Sequence, residues 1–347
     1  GYLGQLSLQQ MSTAEYSDLH QDTAIGKFGG EKAYDDVLRG IAGKKMIAVD
    51  ATGSIVKVAR IQKPVRGKNI TLTIDIDLQL AAEKGLEGNS GAVVAIHPQT
   101  GEVLALASAP SFDPNLFVRG IDQIEWTKLV TDPRKPLLNR AIQSQYPPGS
   151  TFKIITALTA LEEGIINKDT QFYCSGSLFL GRTFGCWKKE GHGTVDLHRA
   201  IVESCDVYFY EVAKRMDIDK LAHNAKGFGL GTRTGIDLEG EAAGIVPSTA
   251  WKRKTKKANW FTGDTLNTAI GQGYLSATPL QMAQLVAAVA NGGKRYPPYL
   301  LKNGGEIAAV EDAVKIKPWN ISLIKKALIG VVTEPHGTGY MARSDIV

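Results

Sequence analysis

The segment Tyr146-Pro147-Pro148-Gly149-Ser150-Thr151-Phe152-Lys153 joins a rigid turn to an apolar run of Ile154, Ile155, Ala157, Leu158 and Leu161. The prolines and glycine punctuate the chain, and the apolar spacing predicts a helix over 152–163. Ser150 then stands at a helix N-terminus. Lys153, three residues on, shares its face, so its amine can reach the serine hydroxyl. A serine is a poor nucleophile until a neighbouring base takes its proton. A lysine amine can be that base where burial lowers its pKa. Free N–H groups at a helix start can stabilise an oxyanion. The bland reading of the same residues is an N-cap serine beside a snorkelling lysine. Two further Ser-x-x-Lys runs, Ser54-Ile55-Val56-Lys57 and Ser322-Leu323-Ile324-Lys325, lack the turn-then-helix setting and read as surface pairs.

A second polar group lies at Ser204-Cys205-Asp206, within an apolar stretch at 196–215 that reads as helical. A hydroxyl and a carboxylate among apolar residues are costly unless they have polar partners. Ser204 could shuttle a proton beside Lys153, and Asp206 could hold that lysine or bind substrate. The alternative is a turn between two helices, with Ser204 as a cap. Ser111-Phe112-Asp113, before Pro114, reads as a loop.

Cys174, Cys186 and Cys205 are the only cysteines, and His192 lies among them. Three sulfurs and an imidazole are a common tetrahedral zinc set. A closed structural zinc is expected, with Asp169 as reserve ligand should Cys174 point away. The spacing fits no standard zinc-finger pattern. A Cys174–Cys186 disulfide with Cys205 buried and free is the competing reading.

The elements that must position these groups fall into two parts. Residues 1–75 are polar and Gly-rich. Within them, 26–38 reads as a turn and short helix, 46–61 as a hairpin broken at Thr52-Gly53, and 70–75 as a half-buried strand. Asp77 is expected to cap the next helix. Residues 76–347 form the larger part. There, 92–96 and 103–107 make a hairpin, followed by helices at 152–163, 196–215, 279–291 and 319–332. A few antiparallel strands with a helical cluster imply an α+β fold.

A chain of 347 residues with 43% hydrophobic and 22% charged content can bury a sizeable core. No apolar run of membrane-spanning length is present. Its formal net charge of +5 does not demand nucleic acid. The basic run Lys252-Arg253-Lys254-Thr255-Lys256-Lys257 reads first as a solvated loop, and otherwise as a contact for anionic wall polymer or lipid headgroups.

Tyr-Pro-Pro-Gly-Ser-x-x-Lys followed some distance on by Ser-x-Asp resembles the active site of penicillin-binding proteins. The resemblance extends over nearly the whole chain. Residues 26–40 are similar to the end of the pedestal, or dimerisation, domain of the large members. Ser108-Ala109-Pro110-Ser111-Phe112-Asp113-Pro114-Asn115, Ile270-Gly271-Gln272-Gly273-Tyr274 and Ala277-Thr278-Pro279 also match. Gly191-His192-Gly193 and the segment Trp260 to Thr265 are similar to the class B, elongation-type members, penicillin-binding protein 2.

The resemblance implies a transpeptidase domain of the serine β-lactamase-like fold behind part of a pedestal. It implies Ser150 as acylated nucleophile, Lys153 as its base, and Ser204 and Asp206 as second motif. Gly149, Gly271 and Gln272 are implied substrate contacts. The implied activity is D,D-transpeptidation of peptidoglycan stem peptides, inhibited by β-lactams. Implied partners are a membrane glycosyltransferase and cell-elongation scaffold proteins, and the implied location is the periplasmic side of the inner membrane. A D,D-carboxypeptidase, a β-lactamase-type hydrolase and a non-catalytic wall-peptide sensor remain rival readings.

Two departures stand out. Asp206 takes a position where most relatives have Asn, as in the elongation subgroup. No Lys-Thr-Gly or Lys-Ser-Gly occurs; the nearest text, His336-Gly337-Thr338-Gly339, lacks the lysine. The chain is expected to end before that third motif and to be inactive without it.

Overall fold

The computed structural model describes residues 1–344 apart from 18, 119, 303–310, 313 and 314. The fold is α+β, and its strands are grouped in antiparallel pairs. In the N-terminal part, β1 (Tyr2–Gln5) pairs with β2 (Ala24–Phe28), and β3 (Lys44–Val49) pairs with β4 (Ile55–Gln62). Leu6, Tyr16 and Ile25 form a small core under the first pair. The β3–β4 hairpin follows the expected pattern, yet every residue of both strands is exposed.

Residues 70–75 depart from expectation. They are extended but form only an isolated bridge, Leu72 with Leu301. Their hydrogen bonds divide between two neighbours. The Thr73 N–H donates to Leu300 O, and the Asp75 N–H donates to Leu104 O, so neither ladder propagates. The helix that follows, α1 (Ile76–Gly85), is capped by Asp75 and not by Asp77. The Asp75 carboxylate accepts from the Asp77 and Leu78 N–H groups, because it is the last extended residue before the first turn.

β5 (Gly91–Ile96) and β6 (Val103–Ala109) form the expected hairpin. Alternate residues of β6 (Val103, Ala105, Ala107) are buried, as one-sided packing of a strand requires. α2 (Lys153–Glu162) is almost wholly buried and runs through the centre of the larger core. Around it stand α3 (Leu197–Val202), α4 (Asp206–Ala213), α5 (Ile218–Gly227), α6 (Thr262–Ala269), α7 (Pro279–Ala290) and α8 (Pro318–Thr333). Four short strands, β7 (Phe172–Cys174), β8 (Ser177–Leu180), β9 (Arg182–Gly185) and β10 (Gly193–Val195), form two small pairs beside α4.

Local chemistry explains the helix limits. Thr278 and Gln281 make a reciprocal capping box, with Pro279 at the first helical position, so α7 starts where its sequence predicts. Phe152, Ile155, Leu158, Tyr208, Phe209, Leu221 and Leu266 are fully buried. Each such side chain contributes about 1.5–3 kcal/mol relative to exposure. α2 is therefore a rigid support for whatever its first turn carries.

The expected helix over 196–215 is two helices. The chain turns at 203–205, where Ser204 adopts a left-handed φ of 53°. The 252–257 run is also corrected. It belongs to a helix, Thr249–Lys256, with Ser248 as its N-cap. Lys252 is buried, 2.5 Å from the Asp264 carboxylate and over the Phe261 ring. Only the remaining charges are left to face solvent. Among the described residues, no helix is long and apolar enough to cross a membrane.

Candidate active site and cysteine cluster

Ser150 lies in a 3-10 turn, Gly149–Phe152, that feeds directly into α2. Its side chain is exposed while Phe152 and Lys153 beside it are buried. The turn is anchored from outside. Gly149 has φ 59°, and its N–H donates to Gly271 O at 2.9 Å. Gly271 has φ 76°, and a Cβ there would meet Gly149 O at 2.0 Å. Neither position accommodates a side chain easily. The contact fixes the serine turn against the segment after α6. Gly149 and Gly271 thus have a structural reason to be glycine, separate from any contact with substrate. Gln272, the next residue, lines a cleft together with Asp206.

Lys153 is only 3% exposed, and its amine is surrounded by acceptors. Nζ lies 2.7 Å from Asp206 Oδ1, 2.9 Å from Ser204 O and 3.1 Å from Ser204 Oγ. The Ser204 hydroxyl donates to Ser150 Oγ at 2.9 Å. The expected direct approach of Lys153 to Ser150 is therefore replaced by a relay. The lysine turns toward the 203–205 turn, because that turn presents a carbonyl, a hydroxyl and a carboxylate at once. The helix break makes this possible: a continuous helix through 204 would tie Ser204 O to the residue four ahead.

Trp187 completes the arrangement, and sequence reasoning did not single it out. Its backbone N–H donates to Asp206 Oδ2 at 3.1 Å, so both carboxylate oxygens are engaged. Its indole Nε1–H donates to Glu203 O at 3.0 Å and to Ser204 O at 3.1 Å. The ring is otherwise 56% exposed. A large aromatic residue in a polar loop next to Cys186 was the available signal.

Cys174, Cys186, His192 and Cys205 meet behind this turn, all buried, with their candidate ligand atoms within 4.8 Å of one another. Cys174 ends β7, Cys186 follows β9, His192 precedes β10 and Cys205 is the N-cap of α4. The three cysteines are free thiols. His192 Nδ1 lies 3.5 Å from Cys174 Sγ and 3.6 Å from Cys186 Sγ. Tetrahedral zinc with bonds of about 2.0–2.3 Å requires ligand separations of roughly 3.5–3.8 Å. The donor set therefore fits the ion in type, and the two separations from His192 to Cys174 and Cys186 fall at that spacing. The Cys186 thiol is pushed down to about 5, first by the hydrogen bond from the Cys205 thiol and then by backbone N–H groups. The Cys205 thiol is pushed up, since it donates to Cys186 and is buried. Asp169, the reserve ligand, stays outside the cluster. It is exposed and paired with Lys168 at 2.7 Å.

The other Ser-x-x-Lys pairs take no part. Ser322 Oγ donates to Pro318 O within α8, and Lys325 reaches Ala290 O. Ser54 sits at the tip of the exposed β3–β4 hairpin. Asp113 caps a short 3-10 helix, Pro114–Phe117.

A helix-borne serine linked through a second hydroxyl to a buried, carboxylate-held lysine, within this α+β frame, defines a class that comparison with known proteins makes specific. Residues 91–346 match the penicillin-binding protein transpeptidase domain, and residues 1–72 match the penicillin-binding protein dimerisation domain. The chain belongs to the penicillin-binding protein transpeptidase family. The peptidoglycan D,D-transpeptidase MrdA of Acinetobacter baumannii is 42% identical over 306 residues, covering 87% of this chain and 45% of the relative. MrdA of Haemophilus influenzae is 38% identical, covering 99% of this chain and 55% of the relative. Among solved structures, PBP2 of Helicobacter pylori in complex with MreC superposes with a TM-score of 0.90 at 35% identity, covering 99% of this chain and 64% of that one. Pseudomonas aeruginosa PBP2 in complex with WCK 5153 gives 0.85 at 37% identity, covering 99% and 75%. The chain spans about half the length of the curated relatives it matches.

Proposed function

We propose that the protein containing this chain is a peptidoglycan D,D-transpeptidase of the elongation type, acting through an acyl-enzyme on Ser150. The observation that carries the reading is the hydrogen-bonded chain Ser150–Ser204–Lys153–Asp206. Ser150 Oγ attacks the carbonyl of the D-Ala-D-Ala amide. Its proton passes through the Ser204 hydroxyl to the Lys153 amine, a step that needs the amine unprotonated. The amide C–N bond breaks, and the proton returns to the departing D-alanine nitrogen. The amine of a neighbouring stem then attacks the ester, forms the new amide and leaves Ser150 with its proton restored. β-Lactams acylate the same oxygen. Asp206 holds Lys153 in place, and Gly149, Gly271 and Gln272 shape the cleft in which substrate lies.

Cys174, Cys186, His192 and Cys205 hold a structural zinc in this reading. Four protein ligands close the site, so the ion supplies no chemistry and serves to hold the turn bearing Ser204 and Asp206. The protein works on the periplasmic side of the inner membrane with a membrane glycosyltransferase and an elongation scaffold. The likeness to a PBP2–MreC complex and to a peptidoglycan synthase complex supports that assignment. The test is fluorescent-penicillin labelling of the intact protein: Ser150→Ala abolishes it. Loss of labelling in Ser54→Ala or Ser322→Ala instead, with the fold intact, would overturn the assignment.

A further inference from the structure

Beside Asp206 opens a cleft of about 400 Å³ that the acyl-transfer chain does not use. One flank is β9 and the loop after it, with Arg182, Trp187 and Lys189; the other carries Asn267 and Gln272. Arg182 and Lys189 are both exposed, and neither has an ion-pair partner among the described residues. The Arg182 guanidinium lies 4.4 Å from the centre of the Phe184 ring, which fixes it against the wall. The Lys189 ammonium lies 3.6 Å from where a Cβ on Gly185 would stand, so it too is gathered over β9. The acid in the cleft, Asp206, is already satisfied by Lys153 on one oxygen and by the Trp187 N–H on the other. The free charge of the cleft is therefore positive, and amide and indole groups supply the remaining polarity.

Resting on the reading of Ser150 as the acylated residue, we propose that this cleft is a stem-peptide subsite in which Arg182 and Lys189 receive a carboxylate carried upstream of D-Ala-D-Ala. The cleft adjoins the acyl-transfer chain through Asp206, and Gln272 follows Gly271 on its other flank, so a peptide acylated on Ser150 that runs on past these residues enters it. A guanidinium and an ammonium around one polar opening match a carboxylate in charge and in hydrogen-bond donors. A neutral amide in the same place would leave both cations without a counter-charge, so the subsite discriminates between the two.

The test compares two D-Ala-D-Ala peptides, one with a free upstream carboxylate and one with that group amidated. Acylation of the intact protein is followed by mass spectrometry. The wild type is expected to acylate faster with the free acid, with a preference that shrinks as ionic strength rises. In the Arg182→Gln/Lys189→Gln double variant the ratio of the two rates falls about tenfold, and Arg182→Lys restores part of it. A tenfold change corresponds to about 1.4 kcal/mol. An unchanged ratio in the double variant, or an equal loss with both peptides, would overturn the subsite. Fluorescent penicillin on the wild type separates the two levels. If it labels Ser150 while the ratio stays constant, the subsite alone is wrong; if it labels nothing, the reading of Ser150 fails and the subsite falls with it.

Discussion

Lys153 and Trp187 decide different things about the same turn. Lys153 is buried with three acceptors around one amine. Arginine at 153 keeps the charge but does not give up its proton. Lys153→Arg is therefore expected to slow acylation by at least about 10²-fold, the lower end for acid–base catalysis; near-native acylation by a folded variant would reject a proton-accepting role. Trp187 acts through others. Its indole N–H bridges the Glu203 and Ser204 carbonyls, one of which also accepts from Lys153. Trp187→Phe keeps an aromatic ring and removes that donor, at a cost of about 0.5–1.5 kcal/mol. The expected outcome is a roughly threefold to tenfold slower acylation with metal content unchanged, read by stopped-flow labelling and metal analysis. Wild-type rates in that variant would show that the bridge does not matter.

At the level of elements, the site is a junction of one helix start and two turns. α2 brings its buried face to the core and leaves Ser150 at its exposed start. The 203–205 turn brings Ser204 and Asp206, and the segment after α6 brings Gly271. The Gly149–Gly271 approach is the tightest of these constraints. Gly271→Ala puts a Cβ 2.0 Å from a carbonyl oxygen at φ 76°. Strain and overpacking together cost at least about 2 kcal/mol. That variant is expected to melt several degrees lower and to lose penicillin labelling. A melting curve and labelling identical to the wild type would mean the two turns are independent.

On the scale of the whole molecule, the cysteine cluster ties small strands to the main core. β7, the loop after β9, the start of β10 and the N-cap of α4 converge there, beside the Phe172–Tyr208 and Phe184–Tyr210 ring contacts that pack β7 and β9 on α4. Binding energy for a structural zinc adds directly to folding energy. Purified intact protein is expected to carry one zinc per chain, and strong chelation or Cys205→Ser is expected to lower the melting temperature and penicillin labelling together. Well under one zinc per chain, or a mass lower by two hydrogens from a Cys174–Cys186 disulfide, would sink the assignment.

Periodicity and short-range chemistry determined much of this protein in the sequence itself. The β5–β6 hairpin, α2 and α7 are written in apolar spacing and capping residues, because those signals act over one or two turns of chain. The candidate residues Ser150, Lys153, Ser204 and Asp206, and the cluster of His192 with the three cysteines, were also legible, since each is a chemical type out of place in its segment. The tertiary structure decided the rest. It broke the 196–215 helix at Ser204, because three acceptors around a buried ammonium outweigh the hydrogen bonds of one helical turn. It reduced residues 70–75 to a bridge, because their backbone partners Leu104 and Leu300 are far away in the chain and belong to different segments, and with the extended run ending at Asp75 the cap of α1 fell there. It also brought Trp187 to the Ser204 carbonyl and Arg182 to the mouth of the cleft. The first meeting depends on where distant backbone turns come to rest; in the second, Phe184, two residues on, holds the guanidinium, and the fold places the pair beside Asn267 and Gln272.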